Sequence, residues 1–258
     1  KLKTGNGGRL VFTSHESGEM ASDLIPKCIS NALADLPIAK RMRWGQGESE
    51  FVRPVHWLVI IHGKTVVQCQ ILGVDSGAIS HGHRFLCEKP VRIYSADTYL
   101  KSLKEKGFVV ADFMERREII RQQIKDLGCK AGGQTIIEEG LLDTVTGLVE
   151  WPNALLGAFD PDFLGIPPEV LISSMRDHQK FFHIVDKTGA LLPSFIAVSN
   201  IKSNKTGRVR EGNERVLRAR LSDAKFFWVE DCKSTLNDWV ENLKGVSFHT
   251  QLGSLYDK

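Results

Sequence analysis

The sequence of 258 residues has no apolar run approaching the roughly 18 residues that a membrane-crossing helix needs, so a membrane-spanning chain is not expected. Cysteine is scarce. The five, Cys28, Cys69, Cys87, Cys129 and Cys232, are odd in number, far apart and without a CxxC pair. Neither a disulfide framework nor a structural zinc site is therefore expected, and a reducing compartment fits best. Phosphate-loop signatures are missing too. Gly5-Asn6-Gly7-Gly8 and Gly45-Gln46-Gly47 are too short for a dinucleotide fingerprint or a P-loop, and both stretches read as plain turns. No GxSxG marks a serine nucleophile. Lys plus Arg (34) barely exceed Asp plus Glu (31), so net charge alone says little about nucleic acid. Long disorder is excluded because the 42% of hydrophobic residues are spread along the chain. No secretory leader pattern opens the sequence, and it reads as a piece of something longer.

What is present is a mixture of periods. A helical stripe (Leu24, Ile25, Cys28, Ile29, Ala32, Leu33) covers about Ser22 to Leu36 and stops at Pro37. Val55–His62 and Thr65–Leu72 read as strands joined by a tight Gly63-Lys64 turn, the first buried on both faces. Ser95 is placed as a cap for a helix ending at Gly107, and Asp112 with Glu115 has capping-box spacing. The helix behind it carries Phe113, Ile120, Ile124 and Leu127 on one face. Another helix follows from about Ile136 to Val149. Strand-like runs return at Ala154–Phe159, Phe181–Val185 and Phe195–Val198, with Pro167 and Pro168 in the first turn of a helix between the first two. Helices are expected again at about Asn213–Asp231 and Ser234–Leu243. Strand groups interrupted by helix groups predict an α+β chain.

Catalytic and metal-binding constellations are hard to find. His81 and His83 stand at i and i+2, which in a strand points them to opposite faces, so they are not read as a metal pair. Basic residues interleaved with rings are more informative, because guanidinium groups grip phosphates and flat rings stack on unpaired bases. Four such groups occur: Arg41, Arg43, Trp44, Arg53, His56 and Trp57; then His81, His83, Arg84 and Phe85; then Arg176, His178, Gln179, Lys180, Phe181 and Phe182; then Arg208, Arg210, Arg215, Arg218, Arg220 and Lys225. On a helical wheel Leu217, Leu221, Ala224 and Trp228 share one stripe, and Arg215, Arg218 and Lys225 the adjoining one. The alternative for that last group is a solvated surface offset by Glu211, Glu214 and Asp223.

A set of motifs carries a family resemblance. Leu36-Pro37-Ile38-Ala39-Lys40-Arg41-Met42-Arg43-Trp44-Gly45, Phe51-Val52-Arg53-Pro54-Val55-His56-Trp57, Gly82-His83-Arg84-Phe85, Leu148-Val149-Glu150-Trp151-Pro152, His178-Gln179-Lys180-Phe181-Phe182 and the run from Gly212 to Phe227 resemble the β subunit of bacterial-type glycyl-tRNA synthetase. The match runs in order from about residue 22 to the end. The resemblance implies a B3/B4-like mixed β-sheet domain with an inserted helical subdomain and C-terminal helices. Its parts would be residues 1–93, a helical insertion at 94–150, a second β-rich part at 151–211 and a helical segment at 212–258.

It further implies a non-catalytic, tRNA-binding part of a glycine–tRNA ligase, inactive in aminoacylation by itself. Its partners would be tRNA(Gly), a catalytic α subunit or α portion that uses ATP and Mg, and HD-type and anticodon-binding domains of the same chain. No cofactor or metal is expected in this part, and the location would be bacterial cytoplasm or an organelle. The expected tRNA contacts are His83, Arg84, His178, Lys180, Arg215, Arg218 and Arg220, whereas Trp151 and Phe227 should hold the domain together. Two alternatives stand beside this reading. One is a hydrolytic editing domain, with His178, Gln179 and Glu150 as the groups to change first; the other is a protein-docking scaffold that touches no tRNA.

Overall fold

The computed structural model describes residues 2–4, 10–12, 14, 15, 17–249 and 251–257. The Gly5-Asn6-Gly7-Gly8 stretch lies outside these residues. The chain divides into two units, Lys1–Gly107 and Phe108–Lys258. Both mix helix and strand, with several small sheets rather than one large one.

In the first unit the strands are short. β1 (Leu2–Thr4) and β2 (Leu10–Phe12) pair antiparallel. Helix α1 (Ala21–Asp35) follows, then a second antiparallel pair, β3 (Met42–Arg43) and β4 (Glu50–Phe51). Next come β5 (Leu58–Val59), β6 (Ile61–His62), β7 (Thr65–Val66), β8 (Gln70–Ile71) and β9 (Val74–Gly77). β6 and β7 form the expected hairpin. Gly63 takes φ +62° at the first turn position, a conformation that costs glycine nothing. β5, β9 and β8 make a three-stranded sheet in that order, and β10 (Ile79–Ser80) pairs with β11 (Val91–Arg92). Helix α2 (Tyr99–Gly107) closes the unit.

The core of this unit is small. Ile60, Val67 and Ile71 are buried, and Ile25, Ile29 and Leu33 of α1 pack against them at i, i+4 and i+8. Leu24 and Cys28 of the expected stripe stay exposed, so the buried seam is narrower than the periodicity suggested. The run from Val55 to His62 is not one strand buried on both faces: it breaks into β5 and β6, and Trp57 is 44% exposed. A two-residue ladder cannot cover both faces of such a run. Ser95 does not cap a helix end through its side chain either; its hydroxyl meets that of Thr98 at 3.3 Å.

The second unit is built on a four-stranded antiparallel sheet. Its strands are β12 (Gln134–Thr135), β13 (Asn153–Ala158), β14 (Phe182–Val185) and β15 (Leu191–Ser199), in the order β12-β14-β15-β13. Successive side chains point to opposite faces, and the two faces fill two separate cores. Phe182, Ile184 and Ile196 face helices α3 (Phe113–Lys130) and α4 (Glu139–Leu148), meeting Ile120, Ile124, Leu142 and Val145. Phe181, Phe195 and Ala197 face the other way. There they meet Leu171 of α5 (Pro168–Ser173), Met175 of a π-helical turn (Ser174–His178), and Leu217 and Leu221 of α6 (Thr206–Asp231). Gly157 lies opposite Phe195 in the register, and a Cβ there would run into the Phe195 ring.

Asp112 caps α3 as its spacing predicts: its Oδ1 accepts the Glu115 N–H at 2.7 Å. Helix α6 begins at Thr206, seven residues before the expected start at Asn213, because Gly212 does not interrupt it. Beyond α6 lie α7 (Leu236–Asn242) and the pair β16 (Ser247–His249) and β17 (Gly253–Ser254). Phe227 is 62% exposed and meets the equally exposed Phe226 edge-on, outside both cores, contrary to the expectation that it holds the domain together. Its position on α6 is rotated by about 80–120° from Leu217 and Leu221, towards solvent.

Candidate nucleic-acid interface

In the first unit the motif Gly82-His83-Arg84-Phe85 follows β10. Gly82 approaches the backbone of Gly107 so closely that a Cβ would collide with its carbonyl oxygen. The His83 N–H donates to that same oxygen at 2.6 Å. His83 is only 2% exposed, and its Nδ1 accepts the N–H groups of Phe85 and Leu86 at 3.2 and 3.3 Å. The imidazole is thus the inside of a turn and is corrected from a contact residue to a supporting one. What the turn projects is Arg84, stacked over the ring of Phe85 at 6.0 Å, with Phe85 itself 74% exposed. His81 is exposed and lies against Trp57, ring centroids 4.6 Å apart.

Several other basic residues are absorbed by structure. Arg41 donates to the carbonyls of Leu33 and Ala34 at 3.2 and 3.0 Å, satisfying the last turn of α1. Arg43 pairs with Glu48 and Glu50. On α3, Arg116 donates to the Thr146 and Val110 carbonyls. Arg117 pairs with Glu139 and Asp143, and Arg121 with Glu139 and Glu118. The pairs to Glu139 and Asp143 tie α3 to α4. Hydrogen bonds from Arg121, and then Arg117, hold the Glu139 carboxyl down to about 2. Both arginines are raised, chiefly by their bonds to Asp143 and Glu139.

The π-helical turn carries the third group. Arg176 bonds Asp177 at 2.7 Å and Glu138 at 3.2 Å, and its bonds, with one from Ser173, lower Asp177 to about 2. His178 ends the turn and is exposed. Lys180 adopts φ +59°, a left-handed conformation that side chains other than glycine rarely take, and its Nζ donates to the Asp177 carbonyl at 3.0 Å.

Helix α6 is different. Leu217 and Leu221 anchor it fully buried against the sheet. On the solvent side Arg208, Arg215 and Arg218, with Glu211, Gly212 and Glu214, line a groove of about 520 Å³. Glu214 is partly committed elsewhere, accepting the Ala158 N–H at 3.1 Å and pairing with Arg210 at 3.7 Å. Among the described residues Arg208, Arg215, Arg218 and Arg220 form no ion pair. The groove thus offers guanidinium groups outside any ion pair among the described residues, beside the carboxylates of Glu211 and Glu214. Arg220, four residues beyond Val216, emerges on a different side of the helix from Arg215 and Arg218.

The structure also forms a cavity of about 360 Å³ that the sequence motifs did not reveal. Its walls come from the end of α4 (Val145, Leu148, Val149), from the sheet (Leu155, Ala197, Val198, Ser199), from Gln179, Lys180 and Phe181, and from Val209, Asn213 and Val216 of α6. The signal that existed was the spacing of Val209, Asn213 and Val216, a second stripe on α6 beside the leucine one. Glu150 and His178 do not line this cavity with Gln179; Glu150 instead donates its N–H to Asn200 Oδ1 at 2.6 Å. Trp151 donates its N–H to the same oxygen and packs edge-on to Phe108 at 5.6 Å, the structural part expected of it. Among the described residues no three metal-ligating side chains come together, and no helix is long and apolar enough to cross a membrane.

These features define a mixed α/β chain in which one helix carries a row of arginines beside a small cavity. The chain belongs to the glycyl-tRNA synthetase beta subunit family, whose model matches residues 1–258. It is 47% identical over 258 residues to the glycine–tRNA ligase beta subunit of Hahella chejuensis and 46% identical over 258 residues to that of Marinobacter nauticus. The match covers 100% of this chain and 37% of each of those proteins, so the chain spans little more than a third of their length.

Proposed function

We propose that this chain is a tRNA-contacting, non-catalytic part of a glycine–tRNA ligase beta subunit, working beside a catalytic α subunit or α portion that uses ATP and Mg. The observation that carries the reading is the row of Arg208, Arg215 and Arg218 along one groove, without ion-pair partners among the described residues. Guanidinium groups held this way suit backbone phosphates, which supply affinity and little sequence choice. Arg84 on its turn and Arg220 on α6 extend the cationic surface of their respective units; His178 and Lys180 are retained as contacts at the π-helical turn. The four-stranded sheet with helices on both faces supports a B3/B4-like domain, and the bacterial relatives favour a bacterial cytoplasmic setting. HD-type and anticodon-binding domains belong to the same reading, as parts of the longer relatives.

The editing alternative is weaker. The cavity at Gln179 has no carboxylate, imidazole or thiol in its lining to activate a water molecule. The scaffold alternative predicts no affinity for RNA at all. Fluorescence anisotropy of the chain with labelled tRNA(Gly) and a non-cognate tRNA across a salt series separates them. The phosphate-gripping reading expects binding that weakens steeply with salt and favours neither tRNA. Absence of binding at low salt would leave the scaffold.

A further inference from the structure

Resting on the tRNA-contact reading, we infer that the cavity between α4, the sheet and α6 receives an unpaired nucleobase of the bound RNA. Three observations converge on it. First, the backbone beside it is unusual: a π-helical turn at Ser174–His178 runs into Lys180 at φ +59°, two uncommon geometries within seven residues. Such geometries persist where the surrounding structure over-determines them, often at binding sites. They place Gln179 and Lys180 at the wall of the cavity.

Second, the lining suits a flat, edge-polar group. Leu148 and Val216 are 65% and 47% exposed, and Val145, Val149, Leu155 and Phe181 form apolar walls behind them. Aliphatic walls with a few polar groups are the usual make-up of a small-ligand site. The amide of Gln179 offers one donor group and one acceptor to a base edge, the bidentate geometry by which glutamine reads purines. Asn213 donates its Nδ2 to the Val209 carbonyl at 2.8 Å, which leaves its Oδ1 as a second acceptor.

Third, cationic groups flank the mouth. Arg220 follows Val216 by one helical turn on the same side of α6, and Lys180 is itself part of the wall. A base entering beside Val216 would leave its phosphate on the Arg220 side of α6. An apolar side chain of a protein partner would use the same walls but neither the Gln179 amide nor the Arg220 guanidinium.

The test compares the chain with its Val216→Trp and Gln179→Ala variants, using a fluorescein-labelled single-stranded RNA and a blunt duplex RNA of equal length. Val216 lines the cavity and is 47% exposed, so tryptophan there narrows it. The expected result is about tenfold weaker binding of the single strand by each variant, with duplex binding and its salt dependence unchanged. Equal affinity of variants and parent for the single strand, while the parent binds both RNAs, overturns the base pocket and leaves the phosphate reading standing. Loss of α-subunit association by Val216→Trp with RNA binding intact assigns the cavity to a protein partner and likewise overturns it. A parent chain that binds neither RNA overturns both readings.

Discussion

Helices α3 and α6 of the second unit carry similar sets of basic residues, and the structure treats them in opposite ways. Arg117 and Arg121 of α3 are mostly covered, and each meets carboxylates of Glu139, Asp143 or Glu118. Arg208, Arg215 and Arg218 of α6 share a groove and meet no ion-pair partner among the described residues. The difference lies in the neighbouring element. α4 supplies acids across from α3, whereas the sheet and the π-helical turn supply apolar surface across from α6. Arginine count therefore says little about function; what each guanidinium already touches says more.

The comparison can be broken from the packing side first. Leu221→Ala removes a fully buried anchor of α6 and should cost about 2–5 kcal/mol, read from urea unfolding. RNA binding should fall with it where the chain unfolds. An unfolding midpoint equal to that of the parent would mean that α6 is not held by its leucine seam.

The leucine seam was legible in the sequence, as were most of the helices. The stripe holds for Leu217 and Leu221 but not for Trp228, which is 39% exposed, while Asp112 announced its own cap. The two cores of the second unit were not legible, because they depend on which face of a strand each of Phe181, Phe182, Phe195 and Ile196 takes, and so on sheet order. The burial of His83 escaped for a similar reason. Its place follows from the close approach of Gly82 to Gly107, twenty-five residues away. Phe227 was misjudged because an aromatic residue beside a leucine seam reads as core, while its helical phase puts it in solvent. The cavity draws on α4, the sheet and α6, and no local motif could display it.

The α3 side of the comparison is sharpened by acid. Glu139 is held at about 2, below the ordinary 4.5, by the bonds from Arg121 and Arg117. A depressed carboxyl contributes stability that is complete above its unfolded value and lost as the pH falls through its folded value. The stability of the second unit should therefore drop from about pH 4.5 towards pH 2, and Glu139→Gln should flatten that part of the profile while leaving RNA binding at neutral pH unchanged. Urea midpoints at a series of pH values read this directly. A variant with the parent's acid profile would show that the α3–α4 pairs contribute nothing.

The smallest effect belongs to the far end of α6. Phe227→Ser should change unfolding stability by no more than about 0.5 kcal/mol, since the ring is already in solvent. A loss as large as that of Leu221→Ala would show that the exposed aromatic end of α6 is packed in solution, and differential scanning calorimetry would detect it.

The measurement that bears most directly on the contrast between the helices is the salt dependence of tRNA binding by two multiple variants. One replaces Arg208, Arg215 and Arg218 by Gln; the other replaces Arg117 and Arg121 by Gln. Each arginine that grips a phosphate accounts for roughly 0.7–0.9 of the slope of log K against log salt, so the α6 variant should fall short of the parent by about two to three units while the α3 variant matches it. An α6 variant with the parent's slope, or an α3 variant that falls as far, would contradict the assignment of the unpaired arginines to RNA phosphates.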